Sequence, residues 1–151
     1  MKKSEVNLYF IKSDFEKIAY KLCKSLVSKG FRVILNLKNK EELHKLDNFF
    51  WSYEKVSFLQ HLTCEDETDF GINPLFLSYG EISKWFISRK YDIVICSPET
   101  LLKKLNLCQK FFFFSYIEKN INYEEINNNL TSKGFFVKTF IETEKFKWKK
   151  I

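Results

Sequence analysis

Glycine is scarce in this chain of 151 residues, occurring only at Gly30, Gly71, Gly80 and Gly134. No two of these are spaced as GxGxxG or GxxxxGKS/T, which excludes a glycine-rich loop that cradles a nucleotide phosphate. Cysteine occurs four times, at Cys23, Cys64, Cys96 and Cys108, and never as CxxC. This is intracellular thiol usage, not a disulfide framework. No run of about 18 apolar residues occurs, so no membrane span is expected. The opening Met-Lys-Lys-Ser-Glu leads into no clean apolar signal region, because Asn7, Lys12 and Asp14 interrupt it. The expectation is a cytoplasmic protein with no membrane partner.

What is present describes a globular domain. Hydrophobic residues make up 45% and charged residues 29%, and residues 1–151 fit a single core that needs no disulfide or metal to fold. The formal net charge of +6 and the isoelectric point near 9.0 favour acidic partners such as nucleic acid or an acidic peptide. The lysine-rich segments at 2–3 and 145–150 read as solvated chain ends. Phenylalanine numbers 17, alongside abundant Lys, Asn and Ile. AT-rich coding explains that bias; so does a surface of aromatics and lysines that stacks on bases. Composition does not separate the two.

The hydrophobic pattern alternates strands with helices. Val6–Ile11 is a short apolar run, Ser13 offers an N-cap, and Phe15, Ile18, Ala19, Leu22 and Leu26 recur at helical spacing. Gly30 ends that helix and Phe31–Leu37 forms the next strand, giving a βαβ unit. Asn39 caps a second helix with Leu43, Leu46 and Phe50 on one face and Trp51 at or just past its end. Further strands are expected at 75–77, 91–96, 111–117 and 135–141. Helices are expected after Ser97-Pro98 and across 123–133; residues 81–88 fit a short helix or a loop. The tetrapeptide Ser-Lys-Gly-Phe at 28–31 and 132–135 reads as one helix-to-strand punctuation used twice. The fold class is α/β: a single three-layer domain with a mostly parallel sheet and helices on both faces, Rossmann-like without a phosphate-binding loop.

Catalytic constellations are weak. His61 and Cys64 have metal-ligand spacing, but only Glu65, Asp66 and Glu67 lie near enough to complete a site. The plainer reading of His61 is a loop histidine that hydrogen-bonds locally. Cys96, at a strand end before a helix N-terminus, stands where a thiol can be activated; a buried strand-end cysteine is the plainer reading. Glu41/Glu42 and Glu124/Glu125 fall in first turns, where they complement the helix dipole. Asp47, near the apolar face of its helix, fits an intrahelical partner or a cap to the following loop. A scaffold role is expected, with no catalytic residue, cofactor or metal.

The stretch Leu46-Asp47-x-x-x-Trp51 followed by Ser57-Phe58-x-x-His61 resembles the most distinctive segment of the DNA polymerase III chi subunit family. Pro74-Leu75, Asp92-Ile93-Val94-Ile95 and Gly134-Phe135 match its later landmarks in order. The resemblance implies a non-catalytic accessory subunit of the bacterial clamp loader. It implies two partners: a psi-like subunit, and the acidic C-terminal tail of single-stranded-DNA-binding protein. Contact with DNA would be indirect or weak. Trp51 and Phe58 match aromatics of the tail pocket, although both also fit ordinary core packing. The family's basic helix before the last Gly-Phe is about two turns shorter here, and its Ala-Arg-x-Arg pattern is absent. Arg89, Lys119 and Lys133 are the candidates to supply the basic contacts. A direct single-stranded nucleic-acid-binding module is the alternative function.

Overall fold

The computed structural model describes residues 5–53, 61–65, 74–79, 91–100, 110–117 and 123–151. Its centre is an eight-stranded sheet in the order β3-β4-β2-β5-β6-β1-β7-β8. The strands are β1 Glu5–Ile11, β2 Val33–Leu37, β3 Leu62–Thr63, β4 Leu75–Tyr79, β5 Ile93–Cys96, β6 Lys110–Tyr116, β7 Phe136–Glu144 and β8 Lys147–Lys150. Every neighbouring pair is parallel except β7 and β8, which close the edge antiparallel. Strands β2 and β5 are buried along their whole length, as strands of a sheet covered on both faces should be; the buried Asn36 is the one polar residue in the two.

Helices α1 (Phe15–Ser28) and α2 (Lys40–Ser52) lie on one face. They bury Phe15, Ile18, Cys23 and Leu26, and Leu43, Leu46 and Phe50, against the odd-numbered residues of β2, β4 and β5. Helix α3 (Tyr123–Ser132) packs Ile126 and Leu130 on the other face, against Val6, Leu8, Phe10 and Phe111. The result is the expected three-layer α/β arrangement. Among the described residues, no helix is long and apolar enough to cross a membrane. The helix expected after Ser97-Pro98 and the ambiguous segment 81–88 fall largely or wholly outside the described residues.

The repeated Ser-Lys-Gly-Phe performs the same task twice. Gly30 and Gly134 sit at φ 91° and 93°, a region that a glycine enters without Cβ strain. After each, the phenylalanine N–H reaches back to the helix: Phe31 to the Leu26 carbonyl at 3.1 Å and Phe135 to the Leu130 carbonyl at 3.2 Å. These bonds satisfy carbonyls that the helix end leaves open.

The turn between β1 and α1 departs from expectation. Ser13 does not cap α1; Asp14 occupies the N-cap position and makes no side-chain cap bond. Ser13 turns to Glu142 on β7. Glu142 Oε1 accepts from the backbone N–H groups of Lys12 (2.6 Å) and Ser13 (2.8 Å), and Oε2 accepts from Ser13 Oγ (2.6 Å) and Phe146 N–H (2.8 Å). The carboxylate is buried. Burial alone would push its pKa up; the hydrogen bonds from Ser13, Phe146 and Lys12 outweigh that and hold it below the ordinary carboxylate range. In nucleotide-binding proteins of doubly wound α/β architecture, the end of the first strand and the start of the first helix receive a phosphate. Here the chain's own carboxylate takes those donors.

Candidate functional site

Asp47, Trp51 and His61 converge at the end of α2. Asn39 starts the helix: its side chain accepts from Glu42 N–H at 2.9 Å, while Glu42 Oε1 accepts from Lys38 N–H at 2.9 Å. The same carboxylate takes the Ser97 hydroxyl at 2.5 Å, tying α2 to the end of β5. With Leu43, Leu46 and Phe50 turned into the core, Asp47 and Trp51 stand four residues apart on the adjoining stripe. That spacing makes them neighbours on the helix surface.

Asp47 Oδ1 is the hub. It accepts from Trp51 Nε1 at 3.0 Å and from His61 Nε2 at 2.6 Å. A carboxylate only accepts, so His61 carries its proton on Nε2. The imidazole is wholly buried, with the Phe50 ring edge-on at 5.5 Å and the Trp51 indole at 4.5 Å between centroids. Trp51 itself remains 47% exposed. One indole face rests on His61, the ring N–H is held by Asp47, and much of the ring faces solvent. Beyond it, Tyr53 is also exposed and stacks on Phe49 at 4.7 Å. The helix therefore ends in a rigid aromatic surface, the kind of pre-organised anchor that costs little entropy on binding.

Trp51 is thus not a core residue. Phe58, Arg89 and Lys119 lie outside the described residues. Lys133 is exposed just beyond α3, on the opposite face of the sheet from α2. The strands beneath them, β2 and β7, are four positions apart, about 19 Å at the usual spacing of about 4.8 Å. The structure does not bring Lys133 and Trp51 together.

The catalytic alternatives find little geometry. His61 faces Asp47, and His44 pairs with Glu65 at 3.0 Å. Cys96 is buried and belongs to the core on the α3 side, away from both histidines. Burial pushes the Cys23 thiol well up, out of the reactive range. Among the described residues, no group of three or more His, Cys, Asp or Glu could hold a metal ion.

Two features of the fold are not evident from local sequence pattern or from composition. Glu142 as a latch gives no local signal, since its partners lie about 130 positions away in the chain. Strand β8 gives only a faint one: Phe146, Trp148 and the intervening lysines alternate with the two-residue period of a strand.

None of the curated proteins matches the chain. The family model of the DNA polymerase III chi subunit, HolC, matches residues 4–122, a span that takes in Asp47, Trp51 and His61 together with strands β1 to β6. On this match the chain belongs to the DNA polymerase III chi subunit (HolC) family, accessory subunits of the replicative polymerase.

Proposed function

We propose that this subunit is an adaptor that captures the acidic C-terminal tail of single-stranded-DNA-binding protein, and that a psi-like subunit, where present, links it to the clamp loader. The observation that carries this reading is Trp51, half-exposed yet fixed by Asp47 and His61. An apolar tail end packs on such a ring, and the net charge of +6 favours approach of an acidic ligand. Trp51 and Phe58 form the aromatic part of the proposed pocket. Arg89 and Lys119 are the proposed basic contacts. Lys133 contributes only to a tail of at least about six extended residues, given the distance it must span.

The test is fluorescence anisotropy with a labelled peptide of that tail. Binding at low salt is expected, weakening as salt rises. Trp51→Ala should raise Kd about thirtyfold, the loss of an aromatic anchor worth about 2 kcal/mol. Absence of binding at low salt, or an unchanged Kd in the variant, sinks the pocket assignment.

A further inference from the structure

The strongest unassigned surface lies at the opposite edge of the sheet, around the β7–β8 hairpin, whose own residues lie beyond those matched by the family model. Side chains of β7 alternate between faces. Val137 and Ile141 join the core beneath α3, and Thr139 bonds Asn127 of that helix at 3.0 Å. The intervening Phe136, Lys138 and Phe140 therefore point to the α1 side. On β8, Lys150 stands opposite Phe140 and Trp148 opposite Glu142, which puts both on that same side.

Rings and lysines interleave there. Tyr9 of β1 stacks on Phe140 at 4.8 Å and on Phe112 of β6 at 5.8 Å, and meets Trp148 edge-on at 5.0 Å. Phe136 is 58% exposed, with the Lys138 ammonium 5.6 Å above its ring. Toward α1 the surface dips into an open cavity of about 240 Å³ lined by Tyr9, Leu22, Phe114, Phe146 and Trp148. That is smaller than the roughly 300 Å³ at which drug-sized pockets begin, room for one ring rather than a whole cofactor. Lys21 and Lys145 flank its rim, each over the Phe146 ring at 5.0 and 5.5 Å. Carboxylates beside this surface are engaged: Glu142 by backbone donors, Glu5 by Lys110 at 3.2 Å and Lys138 at 2.7 Å, and Glu144 by Lys147 at 3.3 Å.

We propose that this face of the β7–β8 hairpin is a binding platform for single-stranded DNA. Unpaired bases stack on Phe136 and Trp148, and Lys21, Lys145 and Lys150 meet the phosphates. The charge pattern favours DNA over an acidic peptide. All these cations are lysines spread across α1, the β7–β8 turn and β8, point charges suited to a repeating backbone; a single carboxylate group is better met by an arginine fork. Aromatics and cations repeat along and across two strands, matching a polymer rather than one chain end. The proposal does not rest on tail capture at Trp51, which lies at the other end of the sheet.

The test uses the full chain, a fluorescein-labelled oligo-dT of about 20 nucleotides, a duplex of equal length and a labelled acidic peptide. The single strand should bind at low salt, and more tightly than the duplex. Phe136→Ala, at an exposed ring outside the core, should weaken it about five- to hundredfold. Lys150→Gln should lower the slope of log K against log salt by about 0.7, while Lys40→Gln, at the start of α2, should leave the slope unchanged. Trp148→Leu, which keeps apolar packing against Tyr9, should weaken binding like Phe136→Ala. No binding at low salt, equal affinity for duplex, or an unchanged Kd in Phe136→Ala and Trp148→Leu overturns the proposal. So does a result in which these two variants impair peptide binding and spare DNA.

Discussion

Asp47 and Glu142 each hold an aromatic-bearing end of the sheet, and they do so differently. Asp47 is partly exposed and binds two side-chain donors, the Trp51 indole and the His61 imidazole. Glu142 is buried and binds three backbone N–H groups and one hydroxyl. The first arrangement fixes one ring on a helix that is already stable. The second fixes a whole element: one side chain ties the turn at Phe146 to the turn at Lys12–Ser13. Pinning a side chain and pinning a segment call for different donors, and they carry different energetic weight.

The largest expected effect lies at Glu142. Glu142→Ala strands three backbone donors in a buried setting, at a cost of about 3 kcal/mol. For a chain of this size the melting temperature should drop by roughly 6–12 °C. Thermal and urea denaturation read this directly, and a loss below about 1 kcal/mol would mean that water replaces the carboxylate without penalty. The pH dependence has a definite sign. The folded carboxyl is held below its ordinary value of 4.5, so its stabilisation is present above that pH and fades as pH falls through the folded value. Glu142→Gln should flatten the acid limb of the stability curve. The slope that remains comes in part from Glu5 and Glu16, whose carboxyls are also lowered: burial raises each, and lysine partners, Lys138 and Lys110 for Glu5 and Lys45 for Glu16, more than offset it.

At Asp47 a smaller effect is expected. Asp47→Ala leaves the buried His61 ring without its acceptor, costing about 1–2 kcal/mol. Its specific signature is in dynamics: time-resolved anisotropy of the Trp51 indole should show faster local motion, with the β7–β8 hairpin unchanged by amide exchange. Equal loosening of both regions would erase the contrast between them. The smallest effect compares the two repeated caps. An added Cβ at Gly30 or Gly134 meets nothing within 4 Å, so Gly30→Ala and Gly134→Ala should each cost only the backbone strain of the left-handed conformation, about 1 kcal/mol. Markedly unequal losses would show that one cap carries more than local geometry.

The sequence made the central strands and the first two helices legible because their signals are local. Ile93–Cys96 is an unbroken apolar run and Val33–Leu37 is interrupted only by Asn36, and Phe15, Ile18 and Leu26 recur at helical spacing. The cap at Asn39 also follows from neighbours. Ser13 did not follow, because a cap residue's local preference lost to a buried carboxylate arriving from β7. His61 showed the same limit. Its neighbours suggested a loop histidine or half of a metal pair with Cys64, and only folding puts it against Asp47. Strand β8 is hidden for another reason: its lysines outweigh its rings in any hydropathy average, so the alternation of Phe146, Trp148 and lysine looks like a solvated end.

The place of β1 in the sheet has a consequence for synthesis. It lies between β6 and β7, with Val6 opposite Phe111 and Val137. When the ribosome has made β1, neither neighbour exists, and the first arrives about a hundred residues later. At roughly 5–20 residues per second that is a delay of about 5–20 s, during which an apolar strand offers both edges to any other chain. The early βαβ unit can form from β1, α1 and β2, but β1 and β2 are not adjacent in the finished sheet. The nascent chain must keep a gap open for β5 and β6 until they emerge, so its yield in the cell should depend on chaperones that shield strand edges.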